Sequence, residues 1–194
     1  MLRMVFLLVT TLAMAATARA QAGTWQFDPN HSAAQFSVRH LGVSTVRGAF
    51  TKVSGTATHD PADPSKDSIE ATIDANSIDT RVQMRDNDLR SARFFDVQNY
   101  PSITFHSRQT KVAGPGKLQI TGDLAIHGIS KQVVLDVDGP SAPIKDPMGK
   151  GQRIGVSATT KINRQDFGVA ALPGAIGDEI TITIDAELIQ APAK

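Results

Sequence analysis

The sequence predicts a mainly β fold: an antiparallel barrel of eight strands with one short helix inserted between them. Three observations lead there. Apolar and polar residues alternate with a period of two in run after run, as strands with one buried face require. Turn signals rich in Gly, Pro and Asp separate these runs at intervals of about eight to twelve residues, the spacing of a sandwich or barrel. One segment, residues 82–93, lacks alternation, Gly and Pro, and holds the helix formers Met84, Leu89, Arg90 and Ala92.

The first residues read as an export signal. Arg3 supplies a basic start, residues 4–16 (MVFLLVTTLAMAA) are apolar but too few to span a bilayer, and Ala18-Arg19-Ala20 fits the small-x-small rule for cleavage after Ala20. An N-terminal anchor fits less well, because polar residues follow at once. No Cys follows the apolar run, which excludes a lipoprotein. Without its first 20 residues the 194-residue chain keeps 174, one ordinary domain over residues 21–194. The leader holds Arg3 and Arg19 and no acid. It thereby takes two of the 20 basic residues and leaves 18 against 19 acidic ones, net −1. That near-neutral surface argues against a nucleic-acid partner. The absence of Cys rules out thiol catalysis and Cys-ligated metals.

The strands follow in order. Trp25-Gln26-Phe27 and Ala34-Gln35-Phe36-Ser37-Val38 open the fold. Residues 46–59 read as one long twisted strand, with Gly48 and Gly55 as bend or bulge points. Alternation continues through residues 69–74, Ile103-Thr104-Phe105-His106, Leu118-Gln119-Ile120, Leu124-Ala125-Ile126, residues 133–137 and residues 154–158. It is clearest at residues 179–188, where every even position is apolar. One helix of about three turns cannot cover six or more strands, so the sheet must curl onto itself. An eight-stranded barrel either fills with its own side chains or holds one small ligand. The inward positions are mostly medium aliphatics and Ala, and the pattern leaves both outcomes open. The candidate lining is Phe36, Val38, Phe50, Ile73, Ile103, Phe105, Ile120, Leu124, Ile126, Ile154, Val156, Ile182 and Ile184.

No residues build a convincing catalytic constellation. His31, His40, His59, His106 and His127 show no metal-ligand spacing. His106 and His127 have outward parity. His40 shares parity with Phe36 and Val38 and points to the inner face near a barrel end, where it meets a ligand head group or satisfies a loop carbonyl. Asn30-His31-Ser32 lacks a nucleophile elbow, and residues 122–128 do not lie where a phosphate loop would. Arg81, Arg85, Arg90 and Arg93 cluster beside Asp86, Asp88 and Asp96, mainly as helix-stabilising pairs such as Asp86–Arg90. Arg85, Arg90 and Arg164 are the candidates for an anionic or carbonyl head group. The charged helix delivers Phe94-Phe95 to the sheet rim, which suggests a lid over residues 84–95. Phe94 and Phe95 would seal the mouth, and Met84 and Leu89 would touch the ligand.

Several blocks resemble the YceI-like family of lipid-binding β-barrels. They are RDNDLRSARFFDVQNYPSITF over residues 85–105, FSVRHLGVSTVRGAF over 36–50, GDLAIHGISKQVVL over 122–135, residues 146–156 with Arg153, and Asn163-Arg164-Gln165-Asp166-Phe167. Asp88 stands where that family usually has His, Met148 where Trp is frequent, and Val156 where an aromatic is usual. The resemblance implies an extended lipocalin-like barrel exported to the periplasm. It would enclose a polyisoprenoid, such as the tail of an isoprenoid quinone or a prenyl diphosphate, with no catalytic residue and no cofactor besides that lipid. Transient contact with the membrane or membrane redox proteins, and a homodimer, complete the expected partners. Two alternatives stand beside it: an enzyme acting on a small lipid or amide through His40 and an Asp near the mouth, and a stress-induced barrel with no ligand.

Overall fold

Among the described residues twelve strands, labelled in chain order, wrap around one interior. They are β1 (Gly23–Phe27), β2 (Ala33–His40), β3 (Ser44–Phe50), β4 (Val53–His59), β5 (Ser68–Asp74), β6 (Ile78–Asp79), β7 (Ser102–Gly114), β8 (Lys117–Ile126), β9 (Ile129–Asp138), β10 (Ile144–Lys145), β11 (Gln152–Asn163) and β12 (Ile176–Gln190). The helix α1 (Gln83–Arg90) lies between β6 and β7. The computed structural model describes residues 22–149 and 151–190. The export signal over residues 1–20 and its cut after Ala20 lie outside them. No helix among the described residues is long and apolar enough to cross a membrane.

The barrel has eight positions although the strands number twelve. β11, β9, β8, β7, β5 and β4 pair in that order, followed by β1 and β12, and the pairing of β11 with β12 closes the ring. Two positions are shared. β12 is long enough to pair with β1 at Leu188 and Ile189 and with β2 from Ile176 to Asp185, so β1 and β2 occupy one barrel position in tandem. β3 pairs with β2 and β4 pairs with β1, so these two also share a position. The single strand expected over residues 46–59 is therefore two strands, broken at Thr51 and Lys52. The break has a cause: the Thr51 N–H donates to Ser77 O and the Lys52 N–H to Ser77 Oγ, which pulls the chain out of the ladder. Gly55 is the bend that was expected. Its φ is 155°, and a Cβ there would lie 2.2 Å from Glu70 O. Gly48 serves packing instead, since a Cβ would meet the Phe36 ring at 2.5 Å.

The expected strands are present, and most are longer than their alternating stretches. Residues 118–120 and 124–126 belong to one strand, β8. β7 continues to Gly114 through residues 107–113, where little apolar alternation marks it. The helix is two turns, shorter than residues 82–93, because Ser91 is extended at φ −69°, ψ 168°. The chain then turns through residues 91–99, and the Phe95 N–H returns to Leu89 O.

Antiparallel register sets up two ends. The β2–β3 turn, α1, the β8–β9 turn at His127-Gly128 and the β11–β12 connection lie at one end. The β7–β8 turn and the β9–β11 connection lie at the other. Toward that second end Trp25, Ile154 and Leu188 form a buried cluster.

Candidate functional site

The barrel is hollow. Its interior is a cavity of about 400 Å³ lined almost wholly by aliphatic and aromatic side chains, within the usual range of ligand pockets. Period-two geometry places them. On β12, Ile180, Ile182 and Ile184 face inward, and their cross-strand partners on β11, Ile162, Thr160 and Ala158, face the same space. On β8, Ile120, Leu124 and Ile126 do so opposite Phe105 and Ile103 of β7. β2 contributes Phe36 and Val38, β3 Phe50, β5 Ile73, and β11 Ile154 and Val156. Every one of the thirteen apolar strand residues expected to line the interior does line it. The wall also includes Val46, Ile69, Ala71, Leu118, Val133, Leu135, Val137 and Ile176. Alternation marked most of these positions as inward, but it did not say which inward residues border open space and which only pack.

The residues after α1 form a stack at the first end. Phe36 and Phe50 lie 5.9 Å apart at 45°, and Phe50 and Phe95 lie 5.4 Å apart at 84°, near edge-to-face. Phe94 is 4 % exposed and packs in the cluster that contains Val97, Ile126 and Phe167. Leu89 also borders the cavity. Met84 does not: it is 81 % exposed, because α1 presents it to solvent. Its expected contact with a ligand is corrected accordingly.

The three head-group arginines have separate fates. Arg85 borders the cavity, and its guanidinium donates to Thr80 Oγ1 at 2.7 Å and Thr80 O at 2.8 Å. Arg90 does not border it. Its guanidinium donates to Asn76 O at 2.9 Å and Ile78 O at 2.6 Å, and this fastens α1 to the short strand β6. Arg164 touches the cavity wall but is buried, and it donates to Val169 O, Ala171 O, Ile176 O, Gly177 O and Asp178 Oδ1. With its N–H groups engaged in this way, Arg164 pins the β11–β12 connection and is not a free anion receptor. The expected Asp86–Arg90 pair is likewise replaced. Asp86 is buried and accepts from Thr80 N at 2.9 Å and Thr80 Oγ1 at 2.5 Å. Asp88, which borders the cavity, pairs with Arg93 at 3.0 Å.

The remaining polar groups sort by end. His40 stands at the cavity rim beside Arg39. Among the described residues no hydrogen bond joins His40 to a carboxylate. At the opposite end His59 borders the cavity, with Nδ1 held by Asp67 Oδ2 at 2.8 Å. His106 is outward and 68 % exposed. His127 sits in the β8–β9 turn with φ 52° and its ring 4.6 Å from that of Tyr100. Met148 is 77 % exposed, away from the cavity.

A second polar cluster lies outside the cavity. Asp28, His31 and Glu187 bring ligand atoms within 4.8 Å of one another, an arrangement able to hold a cation. The guanidinium of Arg153 already meets it, donating to Asp28 at 2.6 Å, Glu187 at 2.7 Å and Asp146 at 2.9 Å. Hydrogen bonds from His31 and then Arg153 hold the Asp28 carboxyl well below the usual carboxylate range. Hydrogen bonds to Asp28 first, and then to Glu187 and Asp146, push Arg153 above its ordinary value. This network ties the β1–β2 turn and the β10 loop to β11 and β12.

Comparison with known proteins bears on the whole barrel. Residues 25–188 match the family described as YceI-like domain. The chain is 37 % identical to Protein YceI of Salmonella arizonae over 176 residues, 90 % of this chain and 91 % of that protein. The crystal structure of Burkholderia cenocepacia BcnA superposes with a TM-score of 0.73 at 25 % identity, covering 83 % of this chain and 98 % of that one. A domain from Saccharophagus degradans described as polyisoprenoid binding superposes with a TM-score of 0.63 at 18 % identity, covering 87 % of this chain and 98 % of that one. At that identity the likeness is one of fold.

Proposed function

This chain belongs to the family of YceI-like domains, and from that premise we propose that it is a periplasmic lipid carrier whose barrel encloses a single polyisoprenoid chain. One observation carries the reading: a cavity of about 400 Å³ whose wall is almost entirely hydrocarbon, inside a barrel whose ion pairs lie mostly elsewhere. Such a wall recognises length and shape of apolar surface. Each buried methylene contributes about 0.8 kcal/mol, so a prenyl tail binds tightly with few polar contacts. The Saccharophagus degradans domain of the same fold is described as polyisoprenoid binding, which agrees with this ligand class. The tail of an isoprenoid quinone or of a prenyl diphosphate is the proposed occupant. His40, Arg39 and Arg85 at the rim are the polar groups its head would meet. The protein acts by enclosure, without catalysis and without a cofactor besides the lipid. The apolar leader of residues 4–16 and the small-residue site ending at Ala20 support export.

The test is to purify the protein from its native host, extract it with organic solvent and identify the released lipid by mass spectrometry. A polyisoprenoid at close to one molecule per chain supports the proposal. Protein that consistently carries no lipid, or carries a small polar metabolite, overturns it.

A further inference from the structure

The barrel end that carries the β2–β3 turn and the β11–β12 connection presents apolar tips to solvent. The β2–β3 turn is Leu41-Gly42-Val43, with Leu41 59 % and Val43 79 % exposed. The Leu41 N–H donates to Ala175 O at 2.7 Å, which binds this tip to the turn beginning at Leu172, itself 43 % exposed. Leu41 and Leu172 have φ of 51° and 53°, a left-handed conformation that suits Gly or Asn and is disfavoured for a bulky side chain. Two leucines are thus held in an awkward backbone geometry with their side chains in solvent, on adjacent loops. Leu172 borders the cavity, as do His40, Arg39 and Ile176 beside the two loops.

Arg39 and Arg47 stand on β2 and β3 beside this tip, and Arg39 donates to Thr45 Oγ1 at 2.9 Å and Gly42 O at 2.6 Å, which holds its guanidinium at the β2–β3 turn. Neither arginine makes an ion pair among the described residues, and the acids at the start of β12 are paired elsewhere, Asp178 with Arg164 and Glu179 with Lys161. Apolar tips flanked by such arginines are features that seat a protein at the surface of an anionic bilayer, through buried apolar area and attraction to the head groups.

We propose that this end docks on an anionic lipid bilayer, with Leu41, Val43 and Leu172 inserted and Arg39 and Arg47 on the head groups, so that the cavity opens onto the membrane. The inference rests on the lipid-carrier reading and adds the place where the lipid is collected or delivered.

The test is co-flotation of the purified chain with vesicles of phosphatidylcholine alone or mixed with phosphatidylglycerol. Cavity occupancy is followed separately, by uptake of a fluorescent fatty acid without vesicles. Leu41→Asn suits the left-handed backbone, and Val43→Ser beside it completes a double variant expected to fold without touching the cavity wall. The wild type is expected to float with anionic vesicles and much less with neutral ones. The double variant should lose about tenfold in binding while still taking up the fatty acid, and Arg39→Gln/Arg47→Gln should lose the preference for anionic lipid. Undiminished binding by the double variant overturns the proposal, as does fatty-acid uptake by a wild type that never floats. A wild-type dimer that the double variant converts to monomer, without flotation, assigns the face to a second copy instead. Failure of the wild type to take up the fatty acid counts against the carrier reading itself.

Discussion

Phe95 stands edge-on to Phe50, ring centroids 5.4 Å apart and planes at 84°, so the segment after α1 is joined to the barrel wall by an aromatic contact. Phe94 beside it is buried in the main cluster. This segment is either a lid that opens for the lipid or a permanent plug. Hydrogen exchange with and without bound lipid separates the two. A lid requires slower exchange of the amides of residues 84–95 on lipid binding and faster lipid release from Phe94→Ala. A plug shows neither. In both cases Phe94→Ala should cost about 3–5 kcal/mol of stability, since it opens a void in a packed cluster.

Ile182 and Thr183 are neighbours on β12 with opposite faces. Ile182 borders the cavity, whereas Thr183 pairs with Gln35 and Thr159 on the outer side. Ile182→Glu should abolish lipid carriage and weaken folding, because it buries an unpaired charge. Thr183→Glu should leave both nearly unchanged. Lipid content after purification and denaturation curves provide the check. Greater damage from the Thr183 change would reverse the facing assignment.

Tail length should set affinity. A hydrocarbon wall gains up to about fourfold in affinity per added methylene until the tail fills the cavity, after which affinity levels off. Titration with a series of quinones differing only in prenyl number measures this. Short and long tails of equal affinity would exclude a wall that reads the tail.

Arg164 is predicted to be structural. Arg164→Ala strips four carbonyls and Asp178 of their donor at the β11–β12 connection, and the loss of stability should be on the order of 3 kcal/mol or more. Chemical denaturation reads it. A variant of normal stability with reduced lipid binding would return Arg164 to the head-group role.

Acid should loosen the network at Asp28. Its carboxyl titrates lower in the fold than the unfolded value of about 3.9. The folded state therefore gains stability above that value and loses it as pH falls. Stability followed from neutral pH into acid should drop below about pH 4 in the wild type and drop less steeply in Asp28→Asn, which has no proton to take up.

The wall of the barrel was legible from the sequence because side-chain direction along a strand is a local property. Phe36, Ile120 and Ile182 point inward for the same reason that Ser37, Gln119 and Thr183 point outward: consecutive residues of a pleated backbone face opposite ways. Closure followed as well, since one short helix cannot cover so many half-apolar strands. Tertiary structure decided whether the closed barrel is filled or hollow, because a cavity is set by distances between strands far apart in sequence. It also broke residues 46–59 into β3 and β4, through hydrogen bonds to Ser77. It sent Met84 to solvent and turned Arg90 and Arg164 from head-group candidates into anchors. A cation binds whichever acceptors lie nearest, and for these two arginines they are backbone carbonyls of other segments, Ile78 and Ala171 among them. Carbonyls carry no signature in the identity of the residues that bear them.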